Sequence, residues 1–258
     1  MLSPCAEIVR RHDPDRFLTA LFAPPDARET LFTLYAVNHE LARAREVVSN
    51  AMLALIRLQW WREVAEGARR RHEVAGPLGE ALDAGRLHPA DVLEMIDGRE
   101  AEADTIETEA AFRDYVRATA GGVAVAAGRA LGAADPVLDA LRDLGAGYGV
   151  VGILRSVPAL ARRSRCILPE DVLAQHGLSV EDVIADPNHP ALADVRRQVA
   201  AIASGWLADG RAARLPKRVI AAALPAVLAQ RDLRHPRATE RGLGDRLAVT
   251  IAAARGRV

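Results

Sequence analysis

The sequence predicts an all-α protein that folds as a single domain. No segment shows the sustained alternation of apolar and polar residues that marks a half-buried strand, and no Asn-Gly hairpin signal occurs. Apolar residues recur instead at spacings of three and four, and proline and glycine stand where such segments begin and end. Half of the 258 residues are hydrophobic, so the chain can bury a large core. We therefore expect one domain over residues 1–258.

The first half of the chain carries clear signals for helix starts. Pro24 and Asp26 suit a first turn, because proline is tolerated there and aspartate favours the positive end of a helix. Asn50 is placed to cap the next helix. That helix has a stripe at helical spacing that we expect to face the core: Leu53, Ile56, Trp60 and Val64. The predicted helices of this half cover about residues 24–48, 51–72, 78–84 and 88–100.

Two segments rich in alanine and glycine follow, at about residues 109–130 and 136–154. Small side chains let helices pack closely, at a propensity cost of about 1 kcal/mol per glycine. We expect these two helices to form the central pair of the domain. Further helices are predicted at about residues 169–176, after the capping residue Ser179, and at about 191–213 and 217–231, followed by a basic tail from Arg234.

Composition argues against several functional classes. The 34 basic and 34 acidic residues give no net charge that would attract nucleic acid, so no nucleic-acid partner is expected. Cys5 and Cys166 lie far apart without a CxxC spacing, which indicates free thiols in a reducing compartment. The N-terminus lacks the apolar core of a signal peptide, and the uncharged runs are shorter than a membrane span. HxxxH and GxSxG patterns are absent, so neither a zinc site nor a hydrolase is predicted.

Three short motifs occur in a fixed order. Residues 35–46 read YAVNHELARARE, residues 56–62 read IRLQWWR, and residues 147–169 read GYGVVGILRSVPALARRSRCILP. Together they resemble the signatures of the squalene/phytoene synthase family, and most closely those of its complex I assembly factor-like subgroup. The resemblance covers most of the chain and implies the all-α isoprenoid (terpenoid) synthase-type fold.

The resemblance also identifies the positions of two aspartate-rich motifs. In the family's enzymes these carboxylates, spaced i, i+4 on facing helices, hold Mg²⁺ ions that clamp a prenyl diphosphate. In this chain the first motif has Ala42 and Arg43 at the aspartate pair and keeps only Glu46, and the second has Ser156 and Leu160. No metal-ligating or catalytic residue is therefore assigned, and Mg²⁺ is expected only if unusual ligands replace the missing ones.

The resemblance implies a set of ligand-binding or cavity residues around these motifs. These candidates are Arg28, Tyr35, Asn38, Glu40, Arg155, Ser156 and Arg165. Arg155 follows the small-residue helix, where a buried charge needs a partner. We expect a structural ion pair with Glu40, with a contact to ligand as the alternative.

Three further features have two interpretations each. The cluster Asp97, Glu100 and Asp104 is either a relocated metal site or, as we favour, a solvated acidic face. The run Arg162, Arg163 and Arg165 either holds a phosphate through its guanidinium groups or forms an exposed basic loop. Two adjacent tryptophans cannot both face inward on a helix, and we expect Trp60 in the core; a role for Trp61 at a partner or membrane interface is the less favoured of its two interpretations.

The resemblance thus implies a non-catalytic binding or assembly factor of the kind that serves respiratory complex I. An alternative is a prenyl diphosphate transferase with unusual metal ligands, acting on farnesyl or geranylgeranyl diphosphate. Another is a carrier of an isoprenoid or lipid tail. The expected partners are respiratory-complex subunits or such a tail, with at most peripheral membrane association. The expected location is the cytoplasm, peripherally at the inner membrane face.

Overall fold

Helices make up the regular secondary structure of the residues that the structure, a computed structural model, describes: 2–46, 50–235 and 241–258. Within these residues there is no strand, and the all-α prediction is confirmed. The helices are α1 Pro4–His12, α2 Pro14–Ala20, α3 Arg28–Glu46, α4 Ala51–Ala65, α5 Ala75–Asp83, α6 Pro89–Glu100, α7 Glu109–Val116, α8 Gly122–Ala130, α9 Asp135–Ala161, α10 Glu170–Gln175, α11 Val180–Ala185, α12 Leu192–Ala212, α13 Ile220–Ala223, α14 Pro225–Arg234 and α15 Leu243–Arg255.

Side-chain caps explain why several helices start where they do. Asn50 accepts a hydrogen bond from the backbone N–H of Met52, and Ser179 and Asp182 form a reciprocal capping box at α11. A π-helical turn, Arg117–Gly121, joins α7 to α8, so the two form one long segment, as predicted. Gly132, with φ of 82°, ends that segment in a conformation that glycine adopts without strain.

The predicted central pair of small-residue helices is confirmed. α9 lies at the middle of the bundle and packs against α8, the π-helical turn, α12 and α14. A Cβ atom added to Gly145 would lie 2.5 Å from the Cβ of Ala124, and one added to Gly149 would lie 2.4 Å from the Cβ of Ala120. α9 is long and apolar enough to cross a membrane by length and composition, but half of that window is buried inside the bundle. Its apolar character therefore matches a core helix.

Three helices of the structure were not predicted. α1 and α2 occupy the N-terminal segment, and α15 occupies the basic tail. The first two are short, nine and seven residues, so their apolar periodicity is brief. They are nevertheless well capped, by the side chains of Ser3 and Asp13.

The expectations for α4 were partly wrong. Leu53 and Ile56, predicted to face the core, are exposed, whereas Ala54 and Leu58 are buried. The expectation for the two tryptophans was also wrong, since Trp61 is buried and Trp60 is only half-buried. α4 ends at Ala65 rather than near residue 72, because the chain turns at Gly67, where φ is 114°.

Candidate functional site

A cavity of about 910 Å³ opens between the N-terminal helices, α3, α6, the α7–α8 segment and α9. Its wall is apolar along the small-residue helices, where Ala120, Gly149, Gly152 and Ile153 line it. Among the described residues, its charged lining is mainly basic and consists of seven arginines and three acids: Arg10, Arg16, Arg99, Arg155, Arg165, Arg241 and Arg246, with Asp13, Asp15 and Glu102. The cavity is therefore a large space with apolar and cationic walls.

One group of buried polar residues surrounds Glu102. Arg165 Nη2 donates to Glu102 Oε2 at 2.6 Å, and Arg99 Nη1 donates to Glu102 Oε1 at 2.5 Å. The Tyr115 hydroxyl donates to the same Oε1 at 2.8 Å. All of these side chains are largely buried, so a single carboxylate compensates two guanidinium groups. This part of the wall therefore carries an excess of positive charge.

The ionisation of this group follows from its charges. Burial alone would raise the pKa of Glu102, but Arg99 and Arg165 outweigh burial and hold the pKa below its ordinary value. The pKa of Tyr115 is raised, mainly by burial and also by the charge of Glu102. At neutral pH Glu102 is thus a carboxylate and Tyr115 a neutral hydroxyl that donates to it.

A second group of charges joins the two ends of the chain at the cavity wall. Arg241 contacts Asp15 and Asp232, each at 2.6 Å, and Arg155 Nη1 contacts Asp232 Oδ2 at 2.9 Å. Asp15 and Asp232 are both buried. Burial alone would lower the pKa of Arg241, but its hydrogen bonds to the two aspartates raise it above the ordinary value. Arg241, two residues before α15, thus joins α2 to α14, and Asp232 joins α14 to Arg155 of α9.

Arg16 lies beside this second group, and its guanidinium group contacts two aromatic rings as well as a carboxylate. Its guanidinium carbon lies 4.9 Å from the ring centre of Tyr148 and 5.7 Å from that of Tyr35. Its Nη1 contacts Asp13 Oδ2 at 2.8 Å. Burial raises the pKa of Tyr35 to about 12. Tyr35 is therefore a neutral ring packed against a cation.

The cavity brings together four of the seven candidate residues from the sequence. Asn38, Arg155, Ser156 and Arg165 line it, and Asn38 Oδ1 accepts from Arg99 Nη2 at 3.4 Å. Ser156 donates through its hydroxyl to the carbonyl of Gly152 at 2.8 Å. Their role in binding a ligand stays a prediction.

The other three candidates lie elsewhere. Arg28 donates through Nε to the carbonyl of Ala23 at 2.9 Å, and Tyr35 is buried behind Arg16. Glu40 contacts Arg43 at 3.0 Å in a separate, smaller hollow. The expected pair of Arg155 with Glu40 is therefore wrong. Asp232 pairs with Arg155 because α14, rather than that face of α3, packs beside this end of α9.

The acidic cluster around Asp97 and the arginine run after α9 differ in where their side chains lie. Asp97 and Glu100 both contact Arg62 Nη2, at 2.6 Å and 2.7 Å, on an exposed face, which agrees with the favoured solvated interpretation. No group of three potential metal-ligating side chains occurs among the residues described. Of the arginine run after α9, Arg165 is drawn into the cavity wall, whereas Arg162 is exposed.

The residues that the sequence resemblance aligns with the family's aspartates do not offer ligands suited to Mg²⁺. Ala42, Ser156 and Leu160 line the cavity, and none of them supplies a carboxylate. The side chain of Glu46 is outside the described part of the chain. The three acids in the wall, Asp13, Asp15 and Glu102, are each paired with an arginine. Mg²⁺ needs free oxygen ligands, so this donor set does not suit it.

Sequence reasoning missed the carboxylate at the centre of the first group. Glu102 was not among the candidate residues, although its spacing of three from Arg99 is a signal for a local ion pair. Asp15 and Arg241 were also missed, because only folding brings them together across 226 positions. Arg16 was missed as well, although its partner Asp13 lies only three positions before it.

Comparison with known proteins places this architecture in a family. The squalene/phytoene synthase family model matches residues 9–252. Relatives at the sequence level include the rat protein "NADH dehydrogenase (ubiquinone) complex I, assembly factor 6", which is 31% identical over 235 residues, covering 87% of this chain and 69% of the relative. The human protein of the same name is 29% identical, with the same coverage.

Solved structures show the same fold at lower sequence identity. A dehydrosqualene synthase in complex with ligand aligns with a TM-score of 0.80 and 15% identity, covering 98% of this chain and 94% of that one. The squalene synthase HpnC from Alicyclobacillus acidocaldarius aligns with a TM-score of 0.66 and 19% identity, covering 98% and 92%. The predicted isoprenoid synthase-type fold is therefore confirmed.

Proposed function

Since the chain belongs to the squalene/phytoene synthase family, we propose that it is a non-catalytic member that assists assembly of a respiratory NADH dehydrogenase complex. The observation that carries this proposal is the match to proteins named complex I assembly factor 6 over 87% of the chain. The proposal is supported by the cavity wall, since Ala42, Ser156 and Leu160, which the sequence resemblance aligns with the family's aspartates, line it without supplying a carboxylate.

The proposed partners are subunits or subassemblies of that complex. In this proposal the fold serves as a binding scaffold, since one fold can host unrelated activities. We propose that it acts in the cytoplasm, peripherally at the inner membrane face, where a membrane-embedded respiratory complex is put together.

The test is genetic and biochemical. Deleting the gene in its own organism should lower the amount of fully assembled NADH dehydrogenase on native gels, and the intact gene should restore it. A deletion strain with normal assembled complex and normal NADH-dependent quinone reduction would contradict the proposal. A different respiratory complex, measured in the same membranes, is the control for a general loss of membrane proteins.

A second candidate is a carrier that binds an isoprenoid or lipid tail without converting it. The volume of about 910 Å³ and the apolar wall at Ala120, Gly149, Gly152 and Ile153 favour it. Native mass spectrometry of the purified protein, followed by solvent extraction, would reveal a co-purifying lipid. A protein that emerges empty and binds no added prenyl alcohol or phospholipid would remove this candidate.

The remaining alternative, a prenyl diphosphate transferase with unusual ligands, rests on likeness of fold. Incubation with farnesyl or geranylgeranyl diphosphate and Mg²⁺ tests it directly, because a turnover product is separable from substrate. Under the proposal, no condensation product forms.

A further inference from the structure

The last helix presents an apolar stripe to the outside of the molecule. Leu243, Leu247 and Ile251 of α15 are 84%, 60% and 39% exposed. They are spaced by four residues, so they follow one another along a single face of the helix. The three are among the most exposed large apolar side chains in the described part of the chain. The stripe is therefore left accessible to solvent by the described part of the fold.

The opposite face of α15 fixes its orientation. Val249, Ala252 and Ala253 are buried, and the helix packs on α14. At its start, Asp245 accepts from the backbone N–H of Gly242 at 3.0 Å and from Arg231 Nε at 2.6 Å. The stripe is therefore held outward by a packed and capped helix.

The charges beside the stripe are of one sign. Arg246 and Arg255 are exposed on α15, and Arg257 is exposed just after it. The single acid of the helix, Asp245, is engaged with Arg231. This contrasts with the whole chain, in which 34 basic residues balance 34 acidic ones. Among the described residues of α15, arginines edge the apolar stripe and no acid is exposed, a pattern complementary to an anionic lipid surface.

The stripe also lies next to the mouth of the central cavity. Arg246 belongs both to the exposed face of α15 and to the cavity wall, and Leu21, 42% exposed, lines the same cavity. Just beyond α2, Phe22 and Pro24 share a second hollow with Thr250 and Ala254 of α15. Exposed apolar residues from both ends of the chain thus stand on one side of the molecule.

We propose that α15 docks the protein on an anionic membrane, with Leu243, Leu247 and Ile251 inserted among the lipid chains and Arg246 and Arg255 at the headgroups. An interfacial helix of this kind lies in the plane of the membrane, and long arginine side chains reach back to the phosphates. In this orientation the cavity mouth faces the lipid surface. The proposal does not depend on the chain's role in complex assembly.

Vesicle flotation with the purified full chain tests the docking. The protein is expected to float with vesicles that mix phosphatidylglycerol into phosphatidylcholine, and far less with phosphatidylcholine alone. High salt should weaken binding, because it screens the arginine contribution. Equal binding to both vesicle types, or no binding to either, would overturn the proposal.

Substitutions locate the surface. Leu243→Asp with Leu247→Asp is expected to lower the affinity for anionic vesicles at least about tenfold, because two apolar anchors are lost. Arg246→Gln and Arg255→Gln should each lower it about fivefold. The matched control is Met52→Asp with Ile56→Asp, which changes two apolar residues of α4 that are 62% and 57% exposed. If the α4 pair abolishes binding and the α15 pair does not, the docking surface has been wrongly assigned.

A fluorescent probe separates membrane insertion from association with protein. Leu247→Cys labelled with an environment-sensitive dye should shift to the blue on anionic vesicles, whereas the same label at Ile56→Cys should not. Cys5 is buried and Cys166 is half-buried, which limits labelling elsewhere. A blue shift without vesicles that rises with protein concentration would identify a second copy as the occupant and overturn the membrane proposal.

Discussion

Arg165 and Glu102, 63 positions apart in the chain, form an ion pair of 2.6 Å in the wall of the central cavity. Arg99 shares the same carboxylate, so two largely buried cations depend on one buried anion. Removing the Glu102 carboxylate would leave both guanidinium groups without their main countercharge. An uncompensated charge in a protein interior strongly destabilises the folded state.

The first prediction concerns the stability of this group. Glu102→Gln is expected to lower the free energy of unfolding at neutral pH by at least about 3 kcal/mol. Glu100→Gln is the matched control, since Glu100 pairs with Arg62 on an exposed face, and it should cost less than about 1 kcal/mol. Urea unfolding of both variants measures the difference, and equal effects would show that the Glu102 group contributes little.

The second prediction concerns pH. The folded-state pKa of Glu102 lies below its ordinary value of 4.5, so the unfolded chain binds a proton at Glu102 more readily. The stabilisation is therefore fully present above pH 4.5 and is lost as the pH falls through the lower, folded-state pKa. The difference in unfolding free energy between wild type and Glu102→Gln should shrink in that acidic range. A difference that stays constant down to the lowest measurable pH would contradict this.

A third prediction distinguishes the observed partner of Arg155 from the expected one. Asp232→Asn should destabilise the protein by about 3 kcal/mol, because buried Asp232 compensates both Arg155 and Arg241. Glu40→Gln should cost less than about 1 kcal/mol, since its partner Arg43 is well exposed to solvent. Thermal melts of the two variants rank them, and the reverse order would restore Glu40 as the more important acid.

The sequence was sufficient to predict the fold and part of the cavity lining. Four cavity residues were predicted because they belong to motifs that can be recognised from the order and spacing of residues in the sequence: Asn38, Arg155, Ser156 and Arg165. The pair of Arg241 with Asp15 was not, because contacts across 226 positions leave no local pattern. Trp60 and Trp61 are a similar case, because their neighbouring positions in the sequence do not determine which side chain faces the core.

A fourth prediction uses two glycines of α9 that lie three residues apart. Gly149→Ala should destabilise the fold by about 1–3 kcal/mol, because the new Cβ would lie 2.4 Å from that of Ala120. Gly152→Ala meets no atom within 4 Å, so it should be neutral or stabilise by up to about 1 kcal/mol through helix propensity. Equal melting temperatures for the two variants would mean that α9 and the α7–α8 segment are not in close contact.

The last prediction is that restoring the family's aspartates does not restore a synthase. The variant combines Ala42→Asp, Arg43→Asp, Ser156→Asp and Leu160→Asp. Pro158 lies between the last two positions, and a proline inside a helix removes a backbone hydrogen bond and can break the helix. In the structure α9 continues through Pro158 to Ala161, so misalignment of that helix is not the obstacle.

The obstacle lies in the arginines around the restored positions. The cavity wall holds Arg99, Arg155 and Arg165, which are placed to pair with new carboxylates before Mg²⁺ does. Metal ligands must also be held to within about 0.5 Å by supporting hydrogen bonds, which these four substitutions do not introduce. We therefore expect no squalene or phytoene from farnesyl or geranylgeranyl diphosphate with Mg²⁺, with an active synthase of the family as the positive control. Measurable product would show that the cavity still supports catalysis and that the loss of four side chains alone had silenced it.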